Sequence, residues 1–287
     1  MANPYKHVNF NETRIAQPLP EGYYACTERD GDITIRNLKE ESLEYMDDRD
    51  KFWGDTNKDQ YPYSLHYNFQ YMEMYHWGES PKYGCDYERD GCFLKPDDVV
   101  VDIGANVGIF TRLAHERGAK HVFAFEPSFD AYKCLLLNTH HTNTSPYKAC
   151  IHNFSGFTDI NITSSTYPMA EVVRTESKLE SVENVSCYTL DDLMDHEILP
   201  SKIDFMKIDI EGNEVELFEG LSDSNLANID RLSLEAHFAP TSVPNRNDEV
   251  TAVLERLCCS FSSSYQMSYN PDGNKDRFWT RTINLWK

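Results

Sequence analysis

The stretch VVVDIGANVGIF, Val99 to Phe110, decides the fold: an apolar strand runs into a glycine loop and the loop into a helix, with one carboxylate, Asp102, at the junction. A strand, glycine loop and helix in that order place a ligand at the carboxyl edge of a parallel sheet. From about Pro96 onward the chain keeps the same rhythm. DDVVVDIG, HVFAFEP, DFMKIDIEG and RLSLEAH read as strands, with amphipathic segments between them. VGIFTRLAHERGA sets Val107, Phe110, Leu113 and Ala114 on one helical face and closes at Gly118. NEVELFEGL stacks Val215, Phe218 and Leu221 and stops near Gly220. The C-terminal SYQMSYNPDGNKDRFWTRTINLWK alternates on both sides of NPDGNKD, the pattern of an antiparallel hairpin. The expected fold over 96–287 is α/β, a doubly wound sheet closed by that hairpin.

Residues 1–95 have another texture, rich in Tyr and acidic residues and poor in long aliphatic runs, and read as an N-terminal appendage. Tyr63, Tyr67, Tyr71 and Tyr75 recur every fourth residue, which aligns them along one helical face. The stripe is read as a helix docking by its rings; the other reading makes it, with Trp77, the wall or lid of an acceptor pocket. With 287 residues the chain is long enough for a full α/β core plus such an appendage.

A formal net charge of −20 argues against a partner gripped by its phosphates, so nucleic acid is not expected. MANPYKHVNF lacks the basic start and apolar run of a signal peptide, and no segment is apolar for long enough to span a bilayer. The expectation is a cytoplasmic protein without membrane insertion. Its eight cysteines show no C-x-x-C pairing and no zinc spacing and are read as reduced thiols. The N-x-S/T triplets at Asn11, Asn143, Asn161 and Asn184 are read as chance matches.

The loop chemistry narrows the ligand. The spacing is Gly104-x-x-x-Gly108, without the middle glycine that lets backbone approach a pyrophosphate, and Asp102 just before it repels phosphate. An acid suits a cation, and S-adenosylmethionine carries a sulfonium and an ammonium but no phosphate. Glu126, at the end of the second strand, is placed to accept hydrogen bonds from both ribose hydroxyls. Asn106 is read either as a turn former or as a ligand contact.

A second cluster lies in DFMKIDIEGNE, where strand alternation puts Lys207, Asp209 and Glu211 on one face. LEAH then puts Glu235 and His237 on one face of the neighbouring strand, at the same sheet edge. His237 is the expected general base, because imidazole titrates near neutrality, with Glu235 or Asp209 orienting the ring. The other arrangement uses Asp209, Glu211 and His237 as ligands for Mg²⁺ or Mn²⁺. It is disfavoured, because Glu211 would have to turn inward and the following Gly212 suggests that it starts the helix instead.

VVVDIGANVGIF, FAFEPS, YTLDDLM, IDFMKIDIEGNEVELFEGL and LSLEAH, in this order and spacing, resemble the FkbM-type S-adenosylmethionine-dependent methyltransferases over roughly residues 85 to 240. The resemblance implies a class I methyltransferase sheet, Rossmann-like, and O-methylation of a sugar, glycan or polyketide-type hydroxyl. It implies cofactor roles for Asp102, Gly104, Asn106, Gly108 and Glu126, and an active-site position for Asp209. Ile151, in ACIHNFSG, matches the adenine-bordering strand edge only loosely. Two other readings stay open: an NAD-dependent sugar oxidoreductase, and a cofactor-binding module without turnover. Acceptor and oligomeric state are not legible.

Overall fold

The computed structural model describes residues 18–27, 32–41, 67, 70–71, 74–75, 87–89, 91–163, 169–172, 181–238, 246–269 and 279–287. In chain order the elements are β1 (Tyr23–Thr27), β2 (Ile33–Asn37), β3 (Val99–Ile103), α1 (Ile109–Glu116), β4 (His121–Phe125), α2 (Phe129–Thr139), β5 (Thr144–Tyr147), β6 (Ala149–Ile151), β7 (Gly156–Thr163), β8 (Met169–Val172) and β9 (Ser181–Tyr188). They continue with α3 (Leu190–Asp195), β10 (Phe205–Ile208), α4 (Glu214–Glu219), α5 (Asp223–Leu226), β11 (Arg231–Phe238), α6 (Asn247–Ser260), β12 (Ser263–Tyr269) and β13 (Trp279–Trp286).

The main sheet has seven strands in the order β12-β13-β11-β10-β3-β4-β5. β5, β4, β3, β10 and β11 run parallel, while β13 is antiparallel to both neighbours, so β12 and β13 form the expected C-terminal hairpin. A parallel strand with both faces covered must be apolar on both, and β3 obeys this. Val101 and Ile103 pack with Leu193, Leu217 and Leu254 of α3, α4 and α6. Val100 packs with Phe110, Leu113 and Leu135 of α1 and α2 on the other face. The chain leaves β3 toward β4 and β5, then returns to β10 on the opposite side. The crevice of an open α/β sheet lies at such a reversal, here at the carboxyl ends of β3 and β10.

Helix α1 ends as its sequence predicts. Gly118 has φ 90°, its N–H bonds His115 O at 2.9 Å, and Ala119 N–H bonds Ala114 O at 3.0 Å. This left-handed cap favours glycine.

A smaller sheet, order β6-β9-β7-β8, is inserted between β5 and α3. The sequence reading does not foresee it. β1, paired with β2, docks on α2, where Asn138 satisfies the backbone of β1 and of the glycine loop: its Oδ1 accepts from Ala25 N–H at 2.7 Å, and its Nδ2 donates to Ala25 O at 2.9 Å and Val107 O at 2.7 Å.

Of the tyrosine stripe, Tyr63 and also Trp77 lie outside the described residues. Tyr67 and Tyr71 are buried in the cluster that holds Phe110 and Leu113. Tyr71 stacks on Tyr75 with ring centroids 4.5 Å apart, and Tyr24 meets Tyr71 edge-on at 5.8 Å. These three rings are packing residues. Among the described residues no helix is long and apolar enough to cross a membrane.

Candidate active site

Gly104 follows β3 with φ 75°, and a Cβ there would lie 1.7 Å from the Asp209 carbonyl oxygen. Glycine alone lets the loop pass the end of β10 so closely. The N–H groups of Gly104 and Ala105 donate to Phe125 O at 3.0 and 2.9 Å, fixing the loop to the end of β4. Asn106 takes the left-handed conformation at φ 49°, and Gly108, φ 88°, precedes α1 where a Cβ would lie 2.8 Å from Leu135 Cδ1.

These turns frame an open cleft whose space, solvent at its mouth included, is about 690 Å³. Gly104 and Asn106 line it from the loop, Phe125 and Glu126 from the end of β4, Ile151 from β6, and Asp209 and Glu211 from beyond β10. Three carboxylates thus face the cleft. Among the described residues that line it there is no Lys or Arg.

Glu126 is buried, and each of its oxygens accepts one backbone N–H: Oε2 from Asn106 at 2.9 Å and Oε1 from Ser128 at 2.8 Å. Burial outweighs those bonds and pushes its carboxyl up to about 7.

Asp102 and Gly108 do not line the cleft. Asp102 is fully buried, accepting from Thr111 Oγ1 at 2.6 Å, with Lys207 Nζ at 3.4 Å. The parallel register explains the pairing, because Lys207 stands directly beside Asp102. Lys207 Nζ also donates to Gly104 O at 2.7 Å and lies 3.7 Å from Asp209 Oδ2. Burial opposes its charge, but Asp102 and Asp209 outweigh burial and hold the ammonium above its usual pKa. Lys207 is therefore a buried strut between the loop and two carboxylates, and Asp102 reaches the cleft through it.

Strand alternation predicts that Asp209 and Glu211 share a face, but β10 ends at Ile208. Glu211 has φ 54° and Gly212 φ 98°, and this left-handed turn swings Glu211 inward instead of into α4, which begins at Glu214. Glu211 Oε2 then lies 3.1 Å from His237 Nε2, and Glu214 Oε1 lies 2.7 Å from His237 Nδ1. The ring is held by these two carboxylates, not by Glu235 or Asp209. Burial disfavours the imidazolium, yet Glu214 and Glu211 outweigh it and raise the pKa well above the usual histidine value.

Tyr87 is a site residue that the sequence does not signal. Its hydroxyl lies 2.9 Å from Asp209 Oδ2 and 3.1 Å from Glu235 Oε2, so its one proton is within reach of either of two acids that the β10–β11 register sets side by side. Burial, and then Asp209, push the Glu235 carboxyl up to about 7. Glu214 escapes sequence reading too, since an acid in a first helical turn looks like a dipole partner.

A family model described as the methyltransferase FkbM domain matches residues 102–260. The AMB antimetabolite synthetase AmbE of Pseudomonas aeruginosa is 25% identical over 188 residues, 53% of this chain and 9% of that protein. The 31-O-demethyl-FK506 methyltransferase FkbM of Streptomyces tacrolimicus is 27% identical over 199 residues, 58% of this chain and 75% of that protein. The hexuronic acid methyltransferase AglP of Haloferax volcanii is 27% identical over 143 residues, 49% of this chain and 56% of that protein. The chain thus spans only a small part of AmbE and little more than half of AglP. The family match covers more than half of the 287 residues and includes the glycine loop, Glu126, Asp209 and His237: the chain belongs to the FkbM methyltransferase family.

Proposed function

We propose that the protein is an S-adenosylmethionine-dependent O-methyltransferase whose acceptor is a hydroxyl of a sugar, glycan or polyketide-type metabolite. One observation carries the reading: a cleft at the β3–β10 edge lined by Glu126, Asp209 and Glu211 and by no described Lys or Arg. Such a lining favours a cationic ligand without phosphate. The same lining disfavours a nicotinamide dinucleotide, whose pyrophosphate would face three carboxylates.

The residues fit S-adenosylmethionine on three counts. Glu126 keeps lone pairs for a ribose diol beyond its two backbone bonds. Asn106 Oδ1 is a buried acceptor without a partner, suited to an ammonium donor. Phe125, Ile151, Ile160 and Ile210 offer an apolar slot for a flat base. When bound, the cofactor supplies an electrophilic methyl on sulfur and leaves as a neutral thioether. The chain's part is to hold the acceptor oxygen in line with that methyl, which offsets roughly 7–11 kcal/mol of barrier, and to let the hydroxyl proton go. Gln70 lines the cleft and Tyr87 reaches Asp209, so these two residues of the N-terminal stretch help to close the acceptor side. FkbM and AglP, by their names, methylate 31-O-demethyl-FK506 and a hexuronic acid, and an uncharged or anionic polyol is the corresponding acceptor class here. The net charge of −20 argues for a small acceptor over nucleic acid.

The experiment is incubation with labelled S-adenosylmethionine and pools of glycans and hydroxylated metabolites, read by mass spectrometry. One added methyl on oxygen supports the reading; turnover of NAD in place of any methyl transfer overturns it.

Glu126 also gives a pH prediction. Ribose hydroxyls donate to a carboxylate, so binding requires Glu126 to ionise, and its carboxyl lies near 7 in the free protein. Affinity for S-adenosylhomocysteine should rise with pH up to about 7 and level off above, with proton release on binding in acid. Below that point the loss approaches about tenfold per pH unit. For the free fold the sign is opposite: between about 4.5 and 7 the native state holds a proton the unfolded chain has released, so this group's contribution to stability falls as pH rises. Glu126→Gln should flatten the binding profile, and Glu126→Ala should weaken binding by about 1–3 kcal/mol. Calorimetric titration from pH 5.5 to 8, in buffers of different ionisation enthalpy, checks both; a pH-independent wild-type affinity removes Glu126 from the ribose site.

A further inference from the structure

We propose that Asp209, Glu211 and His237 form a site for one divalent cation of the Mg²⁺ or Mn²⁺ class at the acceptor end of the cleft. The cation's open positions take the acceptor hydroxyl and an adjacent oxygen. The cation site stands on geometry alone; the acceptor's part rests on the methyl-transfer reading above.

One ligand atom from each of the three side chains lies within 4.8 Å of the others, close enough to share an ion. Two carboxylates and one imidazole are a hard, mixed oxygen and nitrogen set, which suits Mn²⁺ and Mg²⁺ better than soft metals. Asp209 and Glu211 line the cleft, so an ion between them faces the acceptor.

Each ligand is aimed by a residue outside the trio. Buried Glu214, 1% exposed, holds His237 Nδ1 at 2.7 Å and leaves Nε2 toward Glu211 and Asp209, the carboxylate–histidine–metal arrangement of many metal sites. The second oxygen of Glu214 is buried without a hydrogen-bond partner. Tyr87 fixes Asp209 from the far side. The formal charge is also unbalanced: among the described residues these contacts link five carboxylates, Asp102, Asp209, Glu211, Glu214 and Glu235, to one ammonium, Lys207, and to the His237 ring.

Three protein ligands on an octahedral ion leave positions for two substrate oxygens and a water. The acceptor class is therefore a vicinal diol or a hydroxyl beside a carboxylate or carbonyl. Bound to the cation, the hydroxyl loses its proton more readily, as metal-bound water does. The oxygen then forms its bond to the methyl carbon while the methyl–sulfur bond breaks, and the proton passes to water. His237 serves as a ligand in this scheme and takes no proton.

The test uses the full chain after chelator treatment, titrated with Mn²⁺ and followed by the electron paramagnetic resonance signal of the free ion. One saturable site per chain is expected. Asp209→Asn and His237→Ala should each weaken it at least tenfold, and Glu214→Gln, which only orients the ring, by about 10- to 100-fold. Asp130→Asn, which changes a half-buried carboxylate on α2 paired with Lys133, should leave it intact. S-adenosylhomocysteine binding in the same variants reports that the fold survives. No saturable Mn²⁺ site in the wild type, or wild-type binding in all three site variants, overturns the proposal and leaves a salt bridge. Undiminished methyl transfer in chelator overturns it while sparing the methyltransferase reading. A Mn²⁺ site with the expected variant effects supports it even where no acceptor is methylated, a failure that counts against the methyl-transfer reading alone.

Discussion

Lys207→Met should lower the unfolding free energy by about 3–5 kcal/mol, the cost of removing one partner from a buried ion pair. Methionine matches the length of the stem, so the loss is chiefly electrostatic. The ammonium donates to Gly104 O at 2.7 Å and stands 3.4 Å from fully buried Asp102. Without it Asp102 keeps only the Thr111 hydroxyl at 2.6 Å, and the Gly104 carbonyl loses its side-chain donor. The double variant Lys207→Met, Asp102→Asn should recover much of the loss, because the amide carries no charge to strand and still accepts from Thr111. Chemical denaturation of wild type, single and double variants checks this. A single variant as stable as the wild type, or a double variant no better than the single, would show that Lys207 is not the strut between loop and β10.

What the sequence discloses of this site follows from how parallel strands are built. β3, β4, β10 and β11 are covered on both faces, so each is a continuous apolar run that stops where the crevice begins. Gly104, Glu126 and Asp209 are the first residues after those runs, and their placement at the cleft is readable for that reason. Asp102 is different. Its carboxylate looks available for a cofactor cation until the register of β3 against β10 sets Lys207 beside it, and register between parallel strands is not encoded in either strand alone. Glu211 shows a second limit. Alternation predicts its face only while the strand lasts, and two successive positive φ values beyond Ile208 turn it inward. Tyr87 lies in a segment without periodicity, so its approach to Asp209 and Glu235 has no sequence signal. The β6–β9 sheet is hidden because strands such as Gly156–Thr163 are short of the long apolar runs that mark the main sheet.

Gly104→Ala should be about as damaging as losing Lys207, but for a steric reason, and it should strike cofactor binding directly. Alanine at φ 75° incurs the left-handed penalty of roughly 1–2 kcal/mol. The larger part is overlap: the new Cβ would sit 1.7 Å from the Asp209 carbonyl oxygen, a backbone atom that no side-chain rotation can move. Overpacking in a well-filled site costs about 1–3 kcal/mol, so with the left-handed penalty a total of about 2–5 kcal/mol is expected. Relief requires the loop and the end of β10 to part, which carries Asn106 away from Glu126 and Asp209 away from Tyr87. S-adenosylhomocysteine binding should therefore fall beyond calorimetric detection while part of the fold remains. Gly212→Ala separates the two causes. Gly212 has φ 98° but nothing within 4 Å of the point where a Cβ would sit, so alanine there meets the backbone penalty alone and should lose only about 1–2 kcal/mol. If Gly104→Ala binds and melts like the wild type, or Gly212→Ala proves equally harmful, close contact between the β3 loop and β10 is not what shapes the cleft.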